Sequence, residues 1–203
     1  PGLGLDGLSS SHPIEVAVEN PAEIGEIFDD ISYSKGGAIL WMLEQFLGQE
    51  IFRDGIRHYL SDHQYGNART EDLWSSLEQA SGKPVTQIMD TWIKQMGHPL
   101  LQVEAHRRLE GIDVTLSQGR FLYTHMLDGS QGDTTRWQVP VSLRAQEDAT
   151  HTSLLMDSQE SHATLTSPAD GWIKVNAGQQ GFYRTNYPVE EWARLRGAIE
   201  GRQ

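Results

Sequence analysis

One tyrosine stands in a setting that could do chemistry. Tyr33 lies within Phe28-Asp29-Asp30-Ile31-Ser32-Tyr33-Ser34-Lys35-Gly36-Gly37, where a polar, acidic lead-in meets the apolar run Ala38-Ile39-Leu40-Trp41-Met42-Leu43. That run is too short to cross a bilayer; it reads as a helix buried on most sides, with Gly48 as its stop. A phenol in or just before the first turn of such a helix has a rigid base from which to project into a cleft. The plainer alternative is a core tyrosine satisfied by one hydrogen bond.

The eight histidines are the other groups to weigh. A helical zinc site wants two of them at i and i+4, as in H-E-x-x-H. His58 and His63 are five apart and diverge on a helix, and His12 and His98 each precede a proline. No pair has metal-ligand spacing, so the histidines read as surface or hydrogen-bonded groups. No serine sits in G-x-S-x-G. The paired carboxylates Asp29-Asp30 and Glu190-Glu191 are adjacent in sequence, which suits solvated or capping groups better than an acid/base pair. Arg107-Arg108 is too short for a basic patch. Gly2-Leu3-Gly4-Leu5-Asp6-Gly7 matches G-x-G-x-x-G literally. It lacks the strand before and helix after that a dinucleotide site requires.

Composition narrows the class. A net charge of −12 argues against nucleic acid or anionic membranes as partners, because phosphates would be repelled. With no cysteine there is no disulfide or thiolate chemistry, which fits a reducing compartment, the cytoplasm, without excluding export. No signal peptide or membrane span is visible. The start, Pro1-Gly2-Leu3-Gly4, suggests a fragment.

The elements that would position these residues divide at Pro99. Asn20-Pro21 offers a cap and first position for a short helix over 22–27. After the central helix, Ile51, Phe52, Ile56, Tyr59 and Leu60 share one face of a second. Thr70 is expected to cap a third, with Leu73, Trp74, Leu77 and Ala80 inward and Gly82 near its end. A fourth buries Ile88, Met89, Trp92, Ile93 and Met96 and stops at Gly97-His98-Pro99. From Leu100 the period becomes two. Leu101, Val103 and Ala105, then Ile112, Val114 and Leu116, then Phe121 and Tyr123, then Trp137, Val139, Val141 and Leu143 alternate with polar residues. Weaker strands are expected near 153–156, 162–166, 172–175 and 181–186. About eight short strands suggest a β-sandwich. Pro188 opens a last helix with Trp192, Leu195 and Ile199 inward.

The order of these pieces resembles the zinc-dependent aminopeptidases of the aminopeptidase N type (gluzincins), in which a tyrosine in an aromatic-Asp-x-x-x-Tyr-x-Lys-Gly setting faces the catalytic zinc. Ser10-Ser11-His12-Pro13-Ile14 stands upstream. Met42-Leu43, Leu47-Gly48, Phe52, Tyr59-Leu60, Thr70-Glu71-Asp72-Leu73-Trp74, Ser81-Gly82-Lys83-Pro84-Val85, Trp92, Gln95-Met96-Gly97-His98-Pro99 and Gly181-Phe182-Tyr183-Arg184-Thr185-Asn186-Tyr187 follow in order. Gly37 departs slightly, since alanine is common there in the family.

The resemblance implies an α+β multidomain chain: residues 1–99 the helical C-terminal lobe of the catalytic domain, 100–187 an antiparallel β-sandwich, and 188–203 the truncated start of a C-terminal helical domain. It implies a peptide substrate and assigns Tyr33 to stabilising the oxyanion opposite zinc. His12 and Lys35 match family positions and read as structural. The family's H-E-x-x-H helix, third ligand Glu and G-x-M-E-N loop do not occur in these residues. The zinc of the parent enzyme would therefore have its ligands elsewhere, and the fragment alone, with no cofactor of its own, would be inactive without its missing domains. A non-catalytic scaffold or peptide-binding module with the same fold is the alternative, and the retained Tyr33 motif argues against it.

Overall fold

A computed structural model describes residues 2–16, 29, 31–109, 111–128, 133–146 and 151–201. Among them are seven α-helices and seven strands in two sheets, an α+β chain with helices first and a sandwich-like pair of sheets after. The short α1 (Gly2–Leu5) precedes a π-helical turn, Ile31–Lys35, which runs straight into α2 (Gly36–Leu47). The helix expected over 22–27 lies outside the described residues, as do Phe28 and Asp30. Gly48 stops α2 as expected, at φ 92°, a conformation that favours glycine.

The second helix, α3 (Gln49–Asp62), departs from the expected stripe. Ile51 and Leu60 are exposed, and Gly55 is its buried residue. The cause is close approach: a Cβ on Gly55 would sit 2.7 Å from Leu77 Cδ2 and 3.0 Å from Leu77 Cα. A glycine contact therefore joins α3 to α4 (Thr70–Ser81), which buries Trp74 and Leu77. The cap of α4 also differs. Thr70 is its first residue, and the Asp72 carboxylate accepts from the Arg69 backbone N–H at 2.8 Å. Gly82 ends α4 in the left-handed region. Helix α5 (Val85–Ile93) buries Val85, Ile88, Met89, Trp92 and Ile93, with Met96 beyond its end and half-buried.

Strands β1 (Pro99–Arg108) and β2 (Gly111–Arg120) pair antiparallel, Pro99 opposite Arg120. Their sheet is completed by β5 (Glu160–Leu165) beside β2 and by β7 (Arg184–Asn186), parallel to β1. The second sheet has β3 (Val139–Ala145) between β4 (Thr152–Met156) and β6 (Ile173–Val175). Alternation turns Leu101, Val103, Ile112, Val114 and Leu116 of one sheet and Val139, Val141 and Leu143 of the other into a common core.

That core continues into the helices. Trp92 packs 6.2 Å from Trp137, ring to ring, and its indole N–H donates to the Gln138 carbonyl at 2.9 Å. The strand expected at Phe121 and Tyr123 is absent, because their backbones pair with loops instead. Phe121 N–H donates to the His98 carbonyl, Tyr123 N–H to the Gly7 carbonyl, and a short helix, α6 (Tyr123–Asp128), follows. The last helix, α7 (Val189–Glu200), buries Leu195 and Glu191, whereas Trp192 and Ile199 are exposed.

Candidate active site

Tyr33 sits in the middle of the π-helical turn. Its backbone N–H donates to the Asp29 carbonyl at 3.1 Å, and Asp29 Oδ1 accepts from the N–H groups of Ile31 and Ser32, each at 3.0 Å. These orphan donors at a helix start are thereby satisfied. Two positions to either side of Tyr33 the chain is anchored inward, Ile31 at 3% and Lys35 at 0% exposure, while Tyr33 itself is 66% exposed. Within this chain the ring lies largely at the surface.

Lys35 is the anchor. Its ammonium lies 3.0 Å from Asp6 Oδ2 and donates to the carbonyls of Gly97 and Gln95 at 3.0 and 3.3 Å. Asp6 Oδ1 accepts from the Ser11 hydroxyl at 2.7 Å and from Gly97 N–H at 2.9 Å. Both charged side chains are fully enclosed. Burial works against the Asp6 carboxylate, but His98, Lys35 and Ser11 around it outweigh that and hold its pKa at about 2. Burial pulls the Lys35 ammonium below its usual value, against the opposing charge of Asp6. His98 is also fully buried, stacked on Phe121 and edge-on to Phe182. Its Nδ1 stands 3.6 Å from Asp6 Oδ2, and burial lowers its pKa against the opposing pull of Asp6.

His12 lies on the other side of the turn, in contact with Asp29 Oδ2 through Nε2 at 2.8 Å. The structure therefore brings together His12, Asp29, Tyr33 and Lys35, which the sequence places in two separate stretches. It does not gather the remaining histidines. Among the described residues no group of three or more His, Cys, Asp or Glu side chains could hold a metal ion. A surface depression of about 630 Å³, lined by residues including Phe121, Lys174, Tyr183 and Arg184, does not include Tyr33.

Sequence reasoning missed Asp6, hidden inside a glycine-rich decoy, and the burial of Glu191. A signal existed for the first: a lysine entering a buried apolar helix needs an enclosed acid. Nothing local says which acid. No helix among the described residues is long and apolar enough to cross a membrane.

Known proteins carry the same arrangement of sequence. Residues 1–92 match the Peptidase family M1 domain. The whole chain is 41% identical to Aminopeptidase M1 of Arabidopsis thaliana, over 98% of this chain and 23% of that protein. It is 41% identical to Glutamyl aminopeptidase of Bitis rhinoceros, over 96% and 20%, and 42% identical to Alanine/arginine aminopeptidase of Saccharomyces cerevisiae, over 95% and 22%. The chain spans about a fifth of the length of these curated relatives. The chain is thus similar to the M1 peptidase family, by that domain over residues 1–92 and by these aminopeptidases over nearly its whole length. Enzymes of that family are zinc metallopeptidases.

Proposed function

We propose that this chain is part of a zinc aminopeptidase that removes N-terminal amino acids from peptides, and that its contribution to the chemistry is the Tyr33 hydroxyl. One observation carries the reading. A 66% exposed phenol stands on a turn whose end residues are buried and tied down. When water adds to a peptide carbonyl, negative charge develops on the carbonyl oxygen. A hydroxyl held in place donates a hydrogen bond to that oxygen without reorganising at the moment of reaction. On this reading residues 1–99 are the C-terminal lobe of the catalytic domain, 100–187 a β-sandwich and 188–203 the first helix of a further helical domain. The zinc ligands belong to a part of the protein outside this chain, and the chain alone does not turn over substrate.

The test is Tyr33→Phe in the full-length protein that contains this chain. It keeps the ring and removes the donor. The expected loss is about 10²–10³-fold in kcat, roughly 2.7–4 kcal/mol, as for other single oxyanion donors. KM moves little, because the interaction forms only in the transition state. Bound metal is unchanged, because the phenol is not a ligand. A near-normal kcat removes Tyr33 from the chemistry and favours a non-catalytic, peptide-binding role.

A further inference from the structure

His12 is held between two groups that only its charged form can satisfy together. Nδ1 is 2.7 Å from the Pro13 carbonyl oxygen, and Nε2 is 2.8 Å from Asp29 Oδ2. A carbonyl accepts and never donates, and so does an ionised carboxylate. A neutral imidazole carries one N–H, so one of these two contacts would then set a ring lone pair against an oxygen lone pair. Asp29 is the residue on which the Tyr33 turn begins. Its other oxygen accepts from Ile31 and Ser32, and its carbonyl accepts from Tyr33 N–H.

We propose that His12, with both ring nitrogens protonated, is a positioning residue for Tyr33: it fixes the Asp29 carboxylate that starts the π-helical turn, and through it the place of the phenol. The proposal rests on the reading of Tyr33 as an oxyanion donor. Among the described residues the charged groups acting on His12 are Asp29, from the start of the turn, and Lys35, from its end. The Pro13 carbonyl raises the His12 pKa, burial lowers it, Asp29 raises it and Lys35 opposes protonation; the balance lies above the ordinary histidine value. The Asp29 carboxyl lies below its ordinary value: burial acts against it, and the Ser32 N–H and His12 prevail. The contact is therefore complete between those two limits. The contribution of His12 is fully present below the ordinary histidine pKa and is lost as pH rises through the raised one.

The experiment measures kcat against pH for the full-length protein, its His12→Gln and Asp29→Asn variants, and Tyr33→Phe alongside. Melting curves check that each variant is folded. On the acid side of the His12 transition, His12→Gln is expected to lose about tenfold to a hundredfold in kcat, the scale of a small misplacement of a reacting group. KM stays unchanged. The deficit should shrink as pH rises, because the wild type then loses the same contact. Independently of activity, selectively labelled histidine followed by NMR should place the His12 transition above about 6.5, the ordinary histidine value. Asp29→Asn, which keeps an acceptor for Ile31 and Ser32, should move that transition down by about one unit or more. A wild-type to His12→Gln ratio that is flat across pH, beside a crippled Tyr33→Phe, overturns the positioning role; so does a His12 transition at or below about 6.5. A near-normal Tyr33→Phe instead fails the oxyanion reading, and the NMR titration, which does not involve Tyr33, separates that failure from the other.

Discussion

Two ion pairs, one under the Tyr33 turn and one under α7, hold their elements by different means. Asp6 and Lys35 are both wholly excluded from water, and Lys35 spends its other donors on the carbonyls of Gly97 and Gln95. Arg107 and Glu191 sit nearer the rim, at 16% and 5% side-chain exposure. There the arginine fork also reaches the carbonyls of Ala169 and Gly171 at 2.8 and 2.7 Å, and a second cation, Arg194, shares the glutamate at 3.1 Å. The first pair is one point charge against one carboxylate in a dry site. In the second, Glu191 keeps a cation if either arginine is lost. The turn that carries the exposed Tyr33 has the dry anchor with a single ion pair; the helix with Trp192 and Ile199 outward has the one in which two cations share a carboxylate.

The sharpest way to break the comparison is Lys35→Met. Removing one partner of an enclosed pair leaves a buried carboxylate without its counter-charge, and the expected cost is about 3–5 kcal/mol by chemical denaturation. Asp6→Asn combined with Lys35→Met should recover part of it, because no unpaired charge then remains. Acid offers a gentler version. Asp6 is held at about 2 in the fold against 3.8 ordinarily. Its contribution is therefore full above the ordinary value and is lost as pH falls through about 2. Denaturation curves should show this slope in the wild type and lose it in Asp6→Asn. A Lys35→Met variant that costs less than about 1 kcal/mol would show that burial does not set the worth of these pairs.

The two anchors also mark what the sequence could reveal. The run from Ala38 to Leu43, the Gly48 stop and the alternation through β1 and β2 were legible because each follows from the period of its own element. Tyr33 stood out as a candidate only through its motif; its exposure between the buried Ile31 and Lys35 is a property of the packed turn. Asp6 and Lys35 meet across a long stretch of chain, and no periodicity connects them. Glu191 looked like a solvated first-turn acid until the fold set Arg107 against it. Tyr123 alternates with Phe121 as a strand would, yet its backbone pairs with Gly7, which sits against both rings. In each miss a long-range partner decided what local pattern left open.

Glu191→Gln tests the anchor shared by two cations. Gln keeps one oxygen for Arg107, and the carbonyls of Ala169 and Gly171 still hold the guanidinium. The expected loss is about 1.5–3 kcal/mol, the scale of hydrogen bonds to a charged group, and smaller than for Lys35→Met. The same denaturation measurement, on the two variants side by side, reads the order directly. Reversal of the order would mean that redundancy at the rim counts for less than the packing of α7.

The smallest expected effect belongs to the residue being held. Tyr33→Phe changes one hydroxyl on a ring that is 66% exposed. Substitutions at such positions shift stability by about 0.5 kcal/mol or less. Neither the Asp6–Lys35 pair nor the backbone contacts of Asp29 involve the phenol, so both survive the change. The melting curve of Tyr33→Phe should therefore overlie that of the wild type, while Lys35→Met melts far earlier. A clear drop in the Tyr33→Phe melting point, beyond about 1 kcal/mol, would assign the hydroxyl a structural hydrogen bond. It would then belong to the anchor, and any loss of kcat could no longer be attributed to a donor poised for the transition state. Unchanged stability leaves the kinetic loss to the chemistry alone.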